Sequence, residues 1–170
     1  RKEIDSLGEV HVPSTSLWGA QTQRALSNFD ISNDPIPIEI IHSLAEIKEA
    51  SAMVNYRLGV IDKERSLLII NAANSIKKGL HDKEFPLTVW QSGSGTQTNM
   101  NVNEVISNLI SQEKGEKLGS HKPVHPNDHV NRSQSTNDTF PAAIHIATIK
   151  KLIYMLLPEL NRLIITLEKK

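Results

Sequence analysis

The chain has 170 residues, room for one ordinary domain or one and a half, and enough length to bury roughly 70% of its unfolded surface. Lys plus Arg and Asp plus Glu number 19 each, so no global field recruits nucleic acid or an anionic membrane. Cysteine is absent, which excludes disulfides, thiolate metal sites and Cys nucleophiles and fits a reducing compartment, so the expected location is the cytoplasm, or the mitochondrial matrix in a eukaryote.

In chain order, RKEIDSLGEVHV reads as extended or irregular backbone ended by Pro13, and its charged start is no signal peptide. The run from Ser16 to Phe29 has a helical pattern. After a loop with Pro35 and Pro37, apolar residues Ile38, Ile41, Leu44, Ala45 and Ile47 recur at helical spacing, and Gly59 suits the C-terminal cap. Asp62 is placed to N-cap the next helix, which runs towards Gly79. HDKEFPLTVWQSGSG breaks the periodicity, and Trp90 in it, like Trp18, is expected to pack. TQTNMNVNEVISNLISQEKG resumes the helical pattern and ends at Gly115. Residues 116–137 form a long polar connection, and connections of that length are usually functional. From Phe140 onward the pattern is helical again, with Pro141 acceptable in a first turn and Pro158 expected to kink or break the helix. No run reads as long and apolar enough to cross a bilayer. Strand signals are weak throughout, so the fold class is mainly α. The last helix is apolar around much of its girth and calls for several neighbours, which other chains or further sequence would supply.

Two segments do not fit a bland helical domain. In SGSGTQTNMN, residues 92–101, glycines alternate with serines and lead into hydroxyls and amides with no charge. Glycine lets backbone approach a ligand closely, successive N–H groups make an anion-binding concavity, and the next helix would add its N-terminal dipole. A flexible loop before a capped helix accounts for SGSG alone. It does not account for Asn99, Asn101 and Asn103, which are poor helix formers and suggest a buried hydrogen-bond network. A Walker-type phosphate loop fails for want of a Lys after the glycines.

The second segment is VHPNDHVNRSQSTNDTFP, residues 124–141. His125 and His129 are four apart, but Pro126 biases His125 away from helix and no third ligand is evident, so no metal is expected. Capping explains part of it: Asn127 or Asp128 starting a turn, and Ser135, Asn137 or Asp138 starting the last helix. If Ser135, Thr136 and Asn137 open that helix, the two neutral donor clusters would suit a ligand with two carboxylates.

Together, GSGTQTNMNVNEV and HPNDHVNRSQSTNDTFP, with LWGAQTQRALSNF and HDKEFPLTVWQ, resemble the fumarase/aspartase superfamily, and within it the class II (metal-independent) fumarases. Aspartases tend to carry Ala where this chain has Ser94 and Asn where it has His125; both positions resemble the fumarases. The resemblance implies an N-terminal helical domain, residues 1–136, followed by the first long helix of a central helical bundle, 137–170. It implies reversible hydration of fumarate to L-malate through an aci-carboxylate, without cofactor or metal, in a homotetramer whose subunits share active sites. Ser94, Gly95, Thr96, Ser135, Thr136 and Asn137 resemble the family's substrate-binding groups. His125, Pro126, Asn127 and Asp128 resemble its accessory dicarboxylate site, beside which Lys122 stands where some relatives have Arg. The family's catalytic serine loop and Thr-His pair have no counterpart between Arg1 and Lys170. The resemblance therefore places both beyond Lys170, and this length is expected to be inactive alone. An aspartate ammonia-lyase and a non-catalytic helical oligomerisation module are the alternatives.

Overall fold

The computed structural model describes residues 1–91, 93 and 95–169. A short hairpin opens the chain: β1 (Lys2–Asp5) pairs antiparallel with β2 (Gly8–His11), with Glu3 opposite Val10. The helices are α1 (Ala20–Asn28), α2 (Ile38–Arg57), α3 (Lys63–Lys77), α4 (Thr96–Glu113), α5 (Thr136–Lys151) and α6 (Leu157–Glu168). A 3-10 turn at Asp82–Glu84, a π turn at Pro126–Val130 and a π stretch at Leu152–Leu156 complete the described elements. The fold is mainly α, as expected, and the hairpin is its one departure among the described residues.

Several starts and stops follow local chemistry. Asp62 caps α3, its carboxylate accepting from Arg65 N–H at 2.8 Å. Gly59 and Gly115, with φ of 70° and 72°, sit just past α2 and α4, where a left-handed residue releases the chain. Helix α1 begins at Ala20 rather than Ser16, because side chains claim the preceding backbone. Arg1 donates to the carbonyls of Ser16 and Trp18 at 2.7 and 2.8 Å, and Leu17 N–H donates to Glu84 at 2.6 Å.

Helix α4 is the central rod. Thirteen of its 18 residues are buried, from Thr98 to Ser111, and Val102, Val105, Ile106 and Ile110 meet Ile41, Leu44, Ile69 and Ile76 of the α2–α3 pair. Burial nearly all round explains why α4 tolerates four asparagines and two serines: most of their side-chain donors find acceptors on neighbouring chain segments. Ser107 and Ser111 hydroxyls donate to the carbonyls of Val124 and Lys122 at 2.6 and 2.7 Å, and Asn108 donates to Leu17 O at 2.8 Å. The long 116–135 connection is thereby fastened along the helix.

Helix α5 starts at Thr136, four residues before the expected start at Phe140, so Pro141 lies in its second turn. The missing proline N–H would otherwise have met the carbonyl of Asn137. Ala143 and Ala147 pack inward, and Lys150 and Lys151 pair with Glu46 and Glu39 of α2. Beyond Lys151 every described residue is exposed, and the expected bundle helix is described as far as Lys169; Lys170, its expected last residue, lies outside the described residues. Pro158 does not break the helix; it falls in the first turn of α6, immediately after the π stretch. By length and composition Thr136–Glu168 is long and apolar enough to cross a membrane, which corrects the sequence expectation. The run passes because the stretch from Phe140 to Leu157 carries only Lys150 and Lys151 as charged residues among apolar ones. An open apolar groove of about 570 Å³, with Ile40, Ile144, Leu152 and Met155 on its walls, lies between it and the start of α2.

Candidate functional site

The N-termini of α4 and α5 lie side by side. Gly95 precedes α4 with φ 72°, and an added Cβ would stand 2.3 Å from the Phe140 ring on α5. Only glycine permits both that backbone and that approach. Asn99, one turn into α4, donates through Nδ2 to Thr136 Oγ1 at 2.9 Å. Neither helix start is capped by its own side chain: Gly95 has none, and Ser135, in extended backbone, makes no cap bond. The expectation that Ser135 caps α5 is thus met in position but not in bonding, and its hydroxyl stays available. Thr96, Ser135 and Asn137 are exposed and Thr136 is half-buried. Ser94, and Ser92 before it, lie outside the described residues. Gln91 steadies the first turn of α4: its Oε1 accepts from Thr98 N–H at 3.1 Å and its Nε2 donates to Thr98 Oγ1 at 2.7 Å.

Beneath the two helix ends is a buried amide network centred on Asn131. Its Oδ1 accepts from Asn99 Nδ2 at 3.0 Å, Asn103 Nδ2 at 3.3 Å and Lys48 Nζ at 2.9 Å. Lys48 also donates to Gln134 Oε1 at 2.9 Å, and Gln134 Nε2 donates back to Val130 O at 2.9 Å. The turn that delivers Ser135 and Thr136 is therefore clamped from α2 and α4 at once. The network inferred from the asparagine density exists, and its bonds run to the approach to α5, at Asn131 and Thr136, and to Glu84 O before the glycine loop. Burial alone pushes the Lys48 amine down to about 7.

The accessory segment folds differently from the expected Asn or Asp cap. His125 itself N-caps the π turn, its Nδ1 accepting from Asn127 and Asp128 N–H at 3.2 Å each. Asn127 and Asp128 are exposed, whereas Pro126 is buried. His129 does not join His125 around a metal: its Nδ1 accepts from His125 N–H at 2.8 Å. Among the described residues no three His, Asp or Glu side chains converge on a point. His125, Pro126 and Asn127 line one cavity of about 360 Å³ with His121, Gln21, Met100 and the hairpin tip; Asp128 does not line it. A second cavity of about 220 Å³ holds Thr96 and Gln97 and shares Asp5, Ser6, Gln21 and Met100 with the first. Glu104 anchors the shared wall, its carboxylate accepting from Gly19, Gln21 and Thr22 N–H at 2.8 to 3.2 Å and from Thr22 Oγ1 at 2.6 Å.

Several of these residues escape a reading of motifs: Lys48, Gln91, Glu104, His121 and Gln134. Lys48 left a trace, since it falls on the apolar stripe of α2 with Ile41, Leu44, Ala45 and Ala52. His121 left none; its positive φ of 57° and its edge-on contact with the His125 ring at 4.7 Å are tertiary.

A buried polar rod, two uncapped helix ends against each other and a long helix left bare beyond Lys151 make up the helical architecture around this site. The family model described as a lyase matches residues 8–170, and the chain belongs to that family. At the level of single proteins, it is 61% identical over its whole length to fumarate hydratase class II of Prochlorococcus marinus and 52% identical to that of Thermosynechococcus vestitus. Among solved structures, the class II fumarase of Schistosoma mansoni superposes with a TM-score of 0.93 at 47% identity, over 96% of this chain and 35% of that one. A fumarate lyase:delta crystallin from Brucella melitensis superposes with a TM-score of 0.84 at 40% identity, over 88% of this chain and 34% of that one. The chain spans 36 to 37% of the length of the curated relatives it matches.

Proposed function

We propose that this chain carries the substrate-gripping groups of a fumarate hydratase, which interconverts fumarate and L-malate. Fumarate is a planar dianion with a carboxylate at each end. In the reverse reaction a proton leaves the carbon beside one carboxylate, and the charge moves into that group as an aci-carboxylate. Donors fixed in advance around the developing charge lower that barrier more than donors that must reorient. The observation that carries the reading is the pair of uncapped helix N-termini locked together by Asn99–Thr136 and by the Gly95–Phe140 contact.

In this reading Ser94, Gly95 and Thr96 hold one carboxylate and the attacking water, and Ser135, Thr136 and Asn137 hold the other. His125, Pro126, Asn127 and Asp128 form an outer site through which a dicarboxylate passes. The base and the Thr-His pair lie beyond Lys170 in the intact protein. Residues 1–136 form the N-terminal domain, 137–170 open a central bundle, and a homotetramer completes each active site. The exposure of Thr96 and Asn137 in the single chain fits a cleft closed by neighbouring subunits.

The intact protein supplied separately with L-malate and L-aspartate should release fumarate from L-malate alone. Asn137→Ala should lower kcat/KM by roughly 100-fold, while the melting midpoint barely moves because the side chain is exposed. The 170-residue chain by itself should turn over neither substrate. Fumarate from L-aspartate would make the protein an ammonia-lyase, and inactivity of the intact protein towards both would favour a helical assembly module.

A further inference from the structure

Behind the two helix ends lies a lysine that the carboxylate reading leaves unused. Lys48 is fully buried, and both of its hydrogen-bond partners, Asn131 Oδ1 and Gln134 Oε1, are neutral. No carboxylate pairs with it among the described residues, although buried lysines are seldom found without one. Its network has a surplus of acceptors: Asn99 Oδ1 and Asn103 Oδ1 are buried and meet no donor among the described residues. Such surroundings suit an ammonium, with three donors, better than an amine. A buried ammonium nevertheless needs a negative charge nearby.

We infer that Lys48 is the concealed counter-charge of the dianion site. It is a positioning residue, linked through Asn131 and Asn99 to Thr136, and its ammonium is completed by a carboxylate bound at the N-termini of α4 and α5. Ligand and proton then bind together. The inference rests on the dicarboxylate reading of those helix ends.

Neighbouring charges do not supply the missing partner. On α2, Glu39, Glu46 and Glu49 pair with Lys151, Lys150 and Lys77, and His42 pairs with Asp82. On α4, Glu104 is engaged at the start of α1. On α3, Arg65 pairs with Asp62. On α5, Asp138 and His145 are exposed; on the turn, Asp128 and Arg132 are exposed and His129 accepts from His125 N–H. Burial is the only cause acting on the Lys48 amine, so it loses its proton near pH 7 when the site is empty. A dianion at the helix ends would restore the proton.

The test uses the intact protein and succinate, a saturated dicarboxylate that can be neither hydrated nor dehydrated. Calorimetric titration at mildly alkaline pH, in two buffers of different ionisation enthalpy, counts protons. The native protein should take up close to one proton per site, and its affinity should fall by up to about tenfold per pH unit above neutrality. Lys48→Met should bind more weakly, take up no proton and show a flat pH profile. Lys48→Arg keeps its charge at every accessible pH, so it should bind without proton uptake and without the alkaline loss. Succinate binding by the native protein with no proton uptake would overturn the inference alone, as would uptake persisting in Lys48→Met. Should neither variant fold, the native proton count still decides. Failure of succinate to bind at all would overturn the dicarboxylate reading and Lys48 with it.

Discussion

Gly95 is where two demands fall on one residue. Its φ of 72° costs a side-chain-bearing residue roughly 1–2 kcal/mol, and a Cβ there would enter the Phe140 ring, worth about 1–3 kcal/mol more. Gly95→Ala should therefore lower the urea midpoint clearly. Adding Phe140→Ala should recover the steric share and leave the backbone share, which a double-mutant cycle would separate. Lys48 answers to pH. Its folded amine titrates at about 7 against an ordinary 10.5, so the unfolded chain holds more protons between those values. Its contribution to stability is complete above 10.5 and is lost as pH falls through about 7, at up to about 1.4 kcal/mol per pH unit. Relative to Lys48→Met, the unliganded native protein should gain stability from pH 7 upward; a constant difference across that range would refute the assignment.

Among the elements, the α5–α6 rod shows how a proline can be carried in a long helix. Pro158 offers no N–H, and its ring crowds the carbonyl four residues back, at Tyr154. The π stretch Leu152–Leu156 sits over that spot, with Leu157 N–H bonded to Leu152 O, five residues back. The wider turn gives the ring room, so the helix continues. It also shifts which residues of α6 share a face with those of α5. Pro158→Ala should let the stretch revert to α-helix, turning the α6 face by roughly 100°, one residue's step. Helical content by circular dichroism should rise while self-association weakens. Unchanged association would mean that the π stretch sets no register.

At the scale of the molecule, the helices divide into a packed body and a bare rod. Leu152, Ile153, Leu156, Leu160, Leu163 and Ile164 are each about half exposed, far more apolar surface than scattered exposed residues present. Such a rod is stable in water when other helices cover it. Sedimentation should find the chain in assemblies above the monomer at micromolar concentration. Leu156→Glu with Leu163→Glu should shift it towards monomer without altering the body, where neither side chain is packed.

The sequence by itself determined the helices, their glycine ends and both donor clusters, because helical periodicity, positive-φ glycines and dense hydroxyl and amide runs are local properties. It also pointed to a buried network in α4, since asparagine is a poor helix former and three at alternate positions call for partners off the helix. Trp90, expected to pack, is exposed; α1 and α5 start away from the positions their patterns predict, because each start depends on what another segment offers: Arg1 and Glu84 for the approach to α1, the Asn131 clamp for the start of α5. Only the tertiary structure brought Gly95 against Phe140, set His121 beside His125 and left Lys48 among neutral oxygens. Contacts between residues 32 to 86 positions apart, such as Asn99 with Asn131 and Lys48 with Gln134, leave no mark on local pattern; they arise when helices pack and buried polar groups must find partners there or bear the cost of having none.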